Sequence, residues 1–411
     1  MRKVLVIGGG ASGMMAAISA AENGASAEIF EKNEKLGKKL YITGKGRCNV
    51  TNACGDPEQF LGHMVHGKNF MYSSFYSFTN TDMMDYLEGL GLRLKTERGQ
   101  RVYPASDKAS DVIRALSGRL SELEVKVHLN TEVSRIMVSD GACTGILLSD
   151  GRTVKADAVI LAAGGLSYPA TGSTGDGYRM AGELGHSVTR LYPSLVSLKS
   201  PDAFCRELTG LSLRNISMTL KSGKKKVYSG FGEMLFTHQG ISGPLVLTAS
   251  TLVHKFGSGE LKVYIDLKPA LDEETLDARI LRDFESATNK HIKNALGALL
   301  PASIIPVVIK KAGIDPDKYV HDITKEERRV LLHTVKSFEI NINGTGDFSE
   351  AVITQGGAET REIEPSSMES KKVRGLFFAG EVIDIDAETG GYNLQAAWST
   401  GRAAGIAAAE G

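Results

Sequence analysis

Three kinds of apolar pattern follow one another along this chain. The first is a continuous run that stops at glycine: KVLVI at 3–7 before GGGASG, AVIL before AAGG at 158–165, and GLFF before AGE at 375–381. A strand apolar at every position is buried on both faces, as in a parallel sheet covered by helices. The second pattern is helical. It predicts helices over MMAAISAAENG, closed by Gly24, over TDMMDYLEGLGL, and over ASDVIRALSGRLSEL with Ser110 or Asp111 as N-cap. NLQAAWSTGRAAGIAAAE is a closing helix, and 272–334 is helical in pattern, broken by Pro301, Pro306 and Pro316. The third pattern is alternation. From about residue 192, SLVSLKS, LRNISMTLKSGKKKVYSGFGEMLFT and GELKVYIDLKP carry period two, the mark of antiparallel sheet. Residues 125–165 read as a β-meander with turns at SDGA and SDGR, returning into the buried strand AVIL.

Strand, helix and strand over the first thirty residues make one βαβ unit. The expected fold is α/β. A Rossmann-like dinucleotide-binding domain is assembled from both ends of the chain, residues 1–191 and 350–411. An inserted β-rich substrate or cap domain takes 192–271 and 335–349, and a small helical subdomain takes 272–334.

Composition narrows the function. Hydrophobic residues are 42% and charged residues 23% of 411, and 48 basic against 48 acidic residues give a net charge of zero. A broad basic field for nucleic acid or anionic lipid is not supported, and KKK at 224–226 reads as a solvated turn. The expected partner is therefore a small-molecule substrate, with no nucleic acid and no membrane. The four cysteines form no CxxC pair and no secretory signal is seen, which points to a reducing, cytoplasmic setting. Glycine stands at 46 residues, about 11% against a usual roughly 7%. Its clusters mark loops that approach a ligand closely.

Gly8-x-Gly10-x-x-Gly13 lies between the first strand and its helix. The first glycine permits the tight turn, the second lets backbone approach a pyrophosphate, and the third lets helix and strand pack. The helix N-terminus, at Ala11 and Ser12, adds free N–H groups and a positive dipole end. Glu31, 18 residues after Gly13, ends the second strand and is placed to bond ribose hydroxyls; Lys32 follows it. Two further strands end in small residues, at Ala163-Gly164-Gly165 and at Gly380-Glu381. An extended FAD needs such additional loops, whereas an NAD domain needs no C-terminal return strand. No second strand-turn-helix GxGxxG exists for a separate NAD(P)H domain.

The segments VLVIGGGASGMMAA, LGKKLYITGKGRCNVTN, AAGGLSYPATGSTGDGYRMAGELGH, FTHQGISGP and GLFFAGEVIDIDAETGGYNLQAAWSTGRAAG together resemble a family of bacterial NAD(P)/FAD-dependent oxidoreductases. Some of its members carry the name aminoacetone oxidase, and one relative acts in a bile-acid pathway. More distantly, the chain is similar to fumarate reductase and succinate dehydrogenase flavoprotein subunits. The resemblance implies the glutathione-reductase-like, two-dinucleotide-binding fold type, with Asp176 near FAD and Glu381 on the ribityl hydroxyls. It places the turn Gly391-Tyr392-Asn393-Leu394-Gln395 at the flavin ring. Lys38, Lys39, Gly46, Arg47, Cys48, Asn49 and Thr51 form a loop around FAD, with cations near phosphate and Asn49 and Thr51 near the flavin. Val133 completes the cofactor set. The FAD-linking histidine of the distant relatives has no counterpart in 37–49, so FAD is expected to be non-covalent.

For catalysis the candidates are His238 as general acid or base, and Arg101 with Tyr103 as holders of an anionic substrate. Cys48 is read either as a packed thiol or a redox thiol. His63-x-x-His66 lacks further ligands and is assigned no metal. The expected reaction is hydride transfer between flavin N5 and a small organic substrate, by C=C reduction or desaturation or by amine oxidation, with NAD(P)H as a possible transient reductant. A flavin-binding redox sensor and a flavoprotein acting on nucleic acid are the alternatives.

Overall fold

The computed structural model describes residues 1–256 and 260–411, and the chain divides into two units, Met1–Ser194 with Phe348–Gly411, and Leu195–Asp347. The first unit is built on a parallel sheet. Its strands are β1 (Lys3–Ile7), β2 (Ser26–Phe30), β3 (Lys126–His128), β4 (Ala158–Leu161) and β5 (Leu376–Phe378). They lie in the order β5-β4-β1-β2-β3. Val4 pairs with Ala27 on one side and Ala158 on the other, and Val159 pairs with Leu376. The chain runs outward from β1 to β2 and β3, then returns to the other side of β1 as β4. The crevice at such a reversal, beyond the carboxyl ends of the strands, is where open α/β sheets bind ligands.

Helix α1 (Ala11–Glu22) follows β1, and helix α2 (Tyr392–Glu410) closes the chain. The small residues of α2 are explained by how closely it crosses α1. A Cβ on Gly401 would lie 2.5 Å from the Ser12 carbonyl oxygen, and one on Gly405 would lie 2.3 Å from that of Ala16.

Three departures from the sequence reading have physical causes. The meander begins at Val133–Ser139, not at 125, because Lys126–His128 joins the parallel sheet beside β2. There the His128 ring stacks on Phe30 at 4.5 Å and its Nε2 meets Glu28 at 2.8 Å. The helix Ala109–Glu122 starts before Ser110, so neither Ser110 nor Asp111 is its N-cap. The Ala109 N–H donates instead to the Gly46 carbonyl at 2.8 Å. Two small antiparallel ladders went unread: Thr51–Asn52 with Arg101–Pro104 and Leu94–Glu97, and Met64–His66 with Asp386–Ala387. Strands of two to four residues are too short to show a period.

The second unit carries a seven-stranded antiparallel sheet. Its order is Phe338–Ile342, Leu261–Asp266, Ser212–Ser222, Lys225–Thr237, Gly240–Ser242, Leu198–Lys199, Gly344–Thr345. Helices Glu273–Glu285 and Lys325–Lys336 bury Leu276, Ile280, Leu331 and Val335 in the same core as Met218, Val263 and Ile265. Residues 272–334 thus share their core with the sheet. Pro306 lies in the first turn of helix Ile305–Lys311, where its missing N–H has no partner to lose.

The α1–α2 crossing can be tested by sign. Helix propensity alone favours Gly401→Ala by about 1 kcal/mol. The contact with a backbone oxygen, which cannot swing aside, predicts a loss of about 1–3 kcal/mol instead. Urea denaturation of the variant is expected to show a lower midpoint; a raised midpoint would mean the helices part without cost.

Candidate functional site

The glycines after β1 divide the work as their spacing predicts. A Cβ on Gly13 would lie 1.9 Å from the Gly8 carbonyl oxygen, and one on Gly8, at φ +103°, would lie 2.5 Å from that of Ala162. These positions tie the turn to β4. Gly10 differs: a Cβ there would meet no described atom within 4 Å. Gly10 is also the N-cap of α1, and among the described residues no side chain caps it. The first N–H groups of a helix have no partner within it. An uncapped helix start beside open space is a cradle for an anion. The Ser12 hydroxyl is used elsewhere, donating to the Ala379 carbonyl at 3.2 Å.

Glu31 is buried at the end of β2. The Gly9 N–H donates to its Oε2 at 2.7 Å, and the Asn33 backbone and side-chain N–H groups donate to Oε1 at 2.8 and 2.6 Å. Oε2 keeps acceptor capacity for a hydroxyl. Lys38 reaches Asn33 Oδ1 at 3.3 Å. The Thr131 N–H donates to the Glu31 carbonyl, which brings the chain just before Val133 alongside. Lys32 Nζ pairs with Asp176 at 2.5 Å, and the Thr174 hydroxyl donates to the same oxygen at 2.8 Å. Burial would raise the Asp176 carboxyl, but Lys32 and Thr174 outweigh it and hold it below the usual range.

A second carboxylate lies beyond β5. The Thr354 N–H and the Ser167 hydroxyl donate to Glu381 Oε1 at 2.7 and 2.8 Å, and Lys39 Nζ reaches Oε2 at 2.7 Å. A Cβ on Gly165 would lie 2.5 Å from Thr354 Oγ1 and 2.8 Å from Glu381 Oε1, and Gly164 sits at φ +73°. The loop after β4 can therefore close over Glu381 only with glycine. Sequence reasoning missed Ser167 and Thr354; an unremarkable hydroxyl at distant positions gave no signal. Gly380 is fixed by its N–H donating to Thr400 Oγ1 at 3.0 Å.

At the start of α2, Gly391 has φ +101° and a Cβ there would lie 2.3 Å from the Thr51 carbonyl carbon. The Thr51 hydroxyl donates to Gln395 Oε1 at 2.8 Å, and the Gln395 side-chain amide donates to the Phe78 carbonyl at 3.1 Å. Those side chains weave the 43–52 loop to α2. Asn393 clamps the preceding loop, accepting from the Ala387 N–H at 2.9 Å and donating to the Ala387 carbonyl at 2.8 Å. Leu394 is half-buried beside it. Asn49 Oδ1 is fully buried, and among the described residues it has no hydrogen-bond partner. A buried acceptor in that state calls for a donor from outside the protein.

His63 and His66 each face an acid of the 384–388 loop. His63 Nδ1 lies 2.7 Å from Glu388 Oε2, and its ring stacks on buried Tyr392 at 4.3 Å. His66 Nδ1 lies 2.5 Å from Asp386 Oδ1, and the Gln355 amide donates to Asp386 Oδ2 at 2.9 Å. The Asp386 side chain is 0% exposed and that of His66 is 29% exposed. A buried acid gripping a partly exposed imidazole orients it, and the Gln355 amide nitrogen lies 2.9 Å from the same Nδ1. Neighbouring Asp384 is pushed above the usual aspartate range by burial. Among the described residues, no group of three or more candidate ligands is placed to hold a metal ion.

Other expected residues have different occupations. Arg47 is committed to Glu97 and Asp107, with its Nε donating to Asp107 at 2.7 Å, and its guanidinium covers the Tyr103 ring at 4.1 Å. Tyr103 is 6% exposed beneath it. Arg101 Nε donates to the Arg98 carbonyl at 3.1 Å. Gly46 uses its carbonyl on the helix at Ala109. Cys48 is fully buried, and burial pushes its thiol up to about 12. His238 is an exposed residue in a hairpin turn of the second unit.

The open cradle at Gly10, the uncapped α1 terminus, the carboxylates of Glu31 and Glu381 and the unpaired Asn49 Oδ1 together fit a long ligand carrying phosphates, hydroxyls and a donor group, as FAD does. Comparison with known proteins agrees. The sequence model described as HI0933-like protein Rossmann domain matches residues 2–407. The chain is similar to the 3-dehydro-bile acid delta(4,6)-reductase of Clostridium scindens, at 32% identity over 100% of both chains. It is similar to the ribosomal RNA dihydrouridine synthase of Haemophilus influenzae, at 31% identity over 98% of this chain and 97% of the other. Its fold is similar to that of 3-ketosteroid-delta4-(5alpha)-dehydrogenase from Rhodococcus jostii, with a TM-score of 0.51, 17% identity and coverage of 99% and 97%.

Two substitutions separate cradle from scaffold. Gly10→Ala is expected to leave the melting temperature within a few degrees, since Ala in place of Gly at an N-cap costs about 1 kcal/mol. It should nevertheless weaken FAD at least tenfold in equilibrium dialysis. Gly13→Ala is expected to lower stability as well, by roughly 1–3 kcal/mol. Equal FAD affinity in Gly10→Ala and the parent would place the pyrophosphate elsewhere. Separately, Cys48 is expected to resist iodoacetamide at pH 8 in the native protein and to react once unfolded; rapid native labelling at Cys48 would restore the redox reading.

Proposed function

The chain belongs to the HI0933-like family and is an FAD-dependent oxidoreductase, and on that premise we propose that it reduces a carbon–carbon double bond conjugated to a carbonyl. The support is that two relatives above 30% identity each align along nearly the whole chain, so site and scaffold are compared together. One is named for a delta(4,6)-reduction of a 3-dehydro-bile acid and the other for forming dihydrouridine. A 3-oxo steroid unsaturated at C4 and a uracil ring both hold a C=C next to a carbonyl. This favours reduction over amine oxidation among the reactions that the sequence left open.

In this reading the chain's residues have separable duties. The α1 N–H groups around Gly10 hold the pyrophosphate, and Glu31 holds the adenosine ribose. Glu381, with Ser167 and Lys39, holds the hydroxyl chain, and Asn49 meets the ring edge. FAD, when bound, supplies the hydride. No histidine occurs in 37–49, so the cofactor is held without a covalent bond. Negative charge then develops on the substrate carbonyl, where oriented donors act most strongly. The proton that completes the reduction is moved by His66, at Nε2, with Asp386 holding the opposite side of the ring. NADH or NADPH is the reductant that restores the enzyme.

Substrate size is a separate matter. Zero net charge does not rule out RNA, because a ribosomal RNA enzyme is 31% identical over nearly the full length.

The test uses holoprotein reduced anaerobically and mixed with cyclohex-2-enone or with oligouridine, following return of the visible flavin band. At least one is expected to reoxidise it tenfold faster than buffer, and His66→Gln is expected to slow that reoxidation at least tenfold without changing FAD affinity. Reoxidation by neither probe would overturn the proposal, and bleaching of the oxidised protein by a primary amine would favour amine oxidation in its place. Stopped-flow mixing with NADH and NADPH checks the reductant; bleaching by neither removes that part.

A further inference from the structure

Charge in this chain is not spread evenly. Between Leu208 and Gly232 there is no aspartate or glutamate, but there are five basic residues, Arg214, Lys221, Lys224, Lys225 and Lys226. The rest of the chain therefore carries the compensating excess of acid. This stretch forms the hairpin of Ser212–Ser222 and Lys225–Thr237 in the second unit. Ile216, Met218 and Leu220 point into the core, so Ser217, Thr219 and Lys221 point out.

Register then sets what stands beside them. Lys226 pairs with Lys221, and Lys221 pairs with Lys262 on the next strand, making a row of three lysines. The adjoining row is Ser229, Thr219 and Tyr264, and the next begins with Phe231 opposite Ser217. Rows on one face are roughly 7 Å apart, so Phe231, two rows on, stands roughly 14 Å from the lysine row. Phe231 is 61% exposed and flanked by Gly230 and Gly232, which leave its ring uncrowded. Lys221 Nζ lies 4.7 Å over the Tyr264 ring.

Of the acids near this face, Glu233 lies two residues beyond Phe231 on the same side of its strand, and three others are paired. Glu260 and Glu339 each lie 3.0 Å from Lys262, and Asp266 lies 2.6 Å from Lys336. Lys221, Lys224 and Lys226 are not matched by these three acids, while Lys225 Nζ lies over the Phe256 ring at 5.2 Å. A basic sheet face with an exposed aromatic ring and small hydroxyl neighbours is the chemistry that holds single-stranded RNA, through phosphate contacts and base stacking.

We propose that the outer face of this hairpin is a docking surface for single-stranded RNA. This rests on the reductase reading above and names its substrate class: a uracil base within RNA, held by a surface of the second unit.

The experiment titrates holoprotein with fluorescein-labelled single-stranded oligouridine at 50 and 200 mM salt, reading anisotropy. Binding is expected to weaken steeply with salt. Lys224→Gln with Lys225→Gln and Lys226→Gln should reduce the slope of log affinity against log salt by up to about 2, at roughly 0.7 per lost contact. Phe231→Ala should weaken binding about 5- to 150-fold. Lys155→Gln, on an exposed strand of the first unit, should change neither. Retained FAD colour and melting temperature show that each variant is folded. RNA binding that is absent, or equal in all variants, overturns the surface. So does tighter, equally lysine-dependent binding to phosphatidylglycerol vesicles, which would make it a lipid surface. Failure of the two readings is separable: enone turnover without RNA binding sinks only the surface, whereas lysine-dependent RNA binding without reoxidation by either probe sinks the reductase reading.

Discussion

The first unit depends on two helices that approach almost to backbone contact. Gly401 and Gly405 of α2 face the Ser12 and Ala16 carbonyls of α1, and no side chain larger than hydrogen fits between them. That approach is what lets the last twenty residues take part in a site begun by the first thirteen. Once α2 is seated, the Thr400 hydroxyl holds Gly380 and the Ser12 hydroxyl holds Ala379. The end of β5 is then fixed beside the turn after β1. Two parts of the chain about 370 residues apart become one crevice because glycine removes the volume that would keep them separate.

Much of this crevice was legible because its signals are local. A buried parallel strand is apolar at every position, and GxGxxG carries its own turn geometry. Glu31 announced itself by following the second strand. The partners of Glu381 did not. Ser167 and Thr354 lie 214 and 27 residues away, and a serine or threonine has too many ordinary uses to be singled out. His63 and His66 looked like a spare pair at metal spacing. Their acids, Glu388 and Asp386, are more than 300 residues distant, and only the short ladder of Met64–His66 with Asp386–Ala387 matches them. The N-cap near Ser110 failed for a related reason. A backbone carbonyl from Gly46 reached the helix first, and sequence carries no mark of that.

Cations were the least readable part. A loop with four basic residues among glycines suggests phosphate contacts, yet Arg47 is bound by Glu97 and Asp107, Lys39 by Glu381, and Lys32 by Asp176. Side chains in a partly buried crevice need counter-charges nearby, and these acids supply them. The open start of α1 beside Gly10 offers an anion backbone instead. A helix terminus needs no counter-ion and carries its positive end in the peptide groups themselves. The division is economical in desolvation: the helix start is left as open backbone, and ion pairs shape the walls.

The same lesson applies to charge across the chain. A net charge of zero is a sum over 411 residues, whereas a polyanion responds to charges within about 8 Å at physiological salt. Five basic residues with no intervening acid, concentrated on one hairpin, make a local field that the sum erases. Sequence reading could have found the acid-free interval from Leu208 to Gly232 by counting in windows. It could not have found that Lys226, Lys221 and Lys262 line up across three strands, because that follows from register. Nor could it have found that Phe231 turns its ring to water on the same face, since alternation alone leaves a strand's two faces equivalent until the core chooses one. The core chooses through Ile216, Met218 and Leu220, and in burying them it sets the lysine row and the aromatic ring on one face.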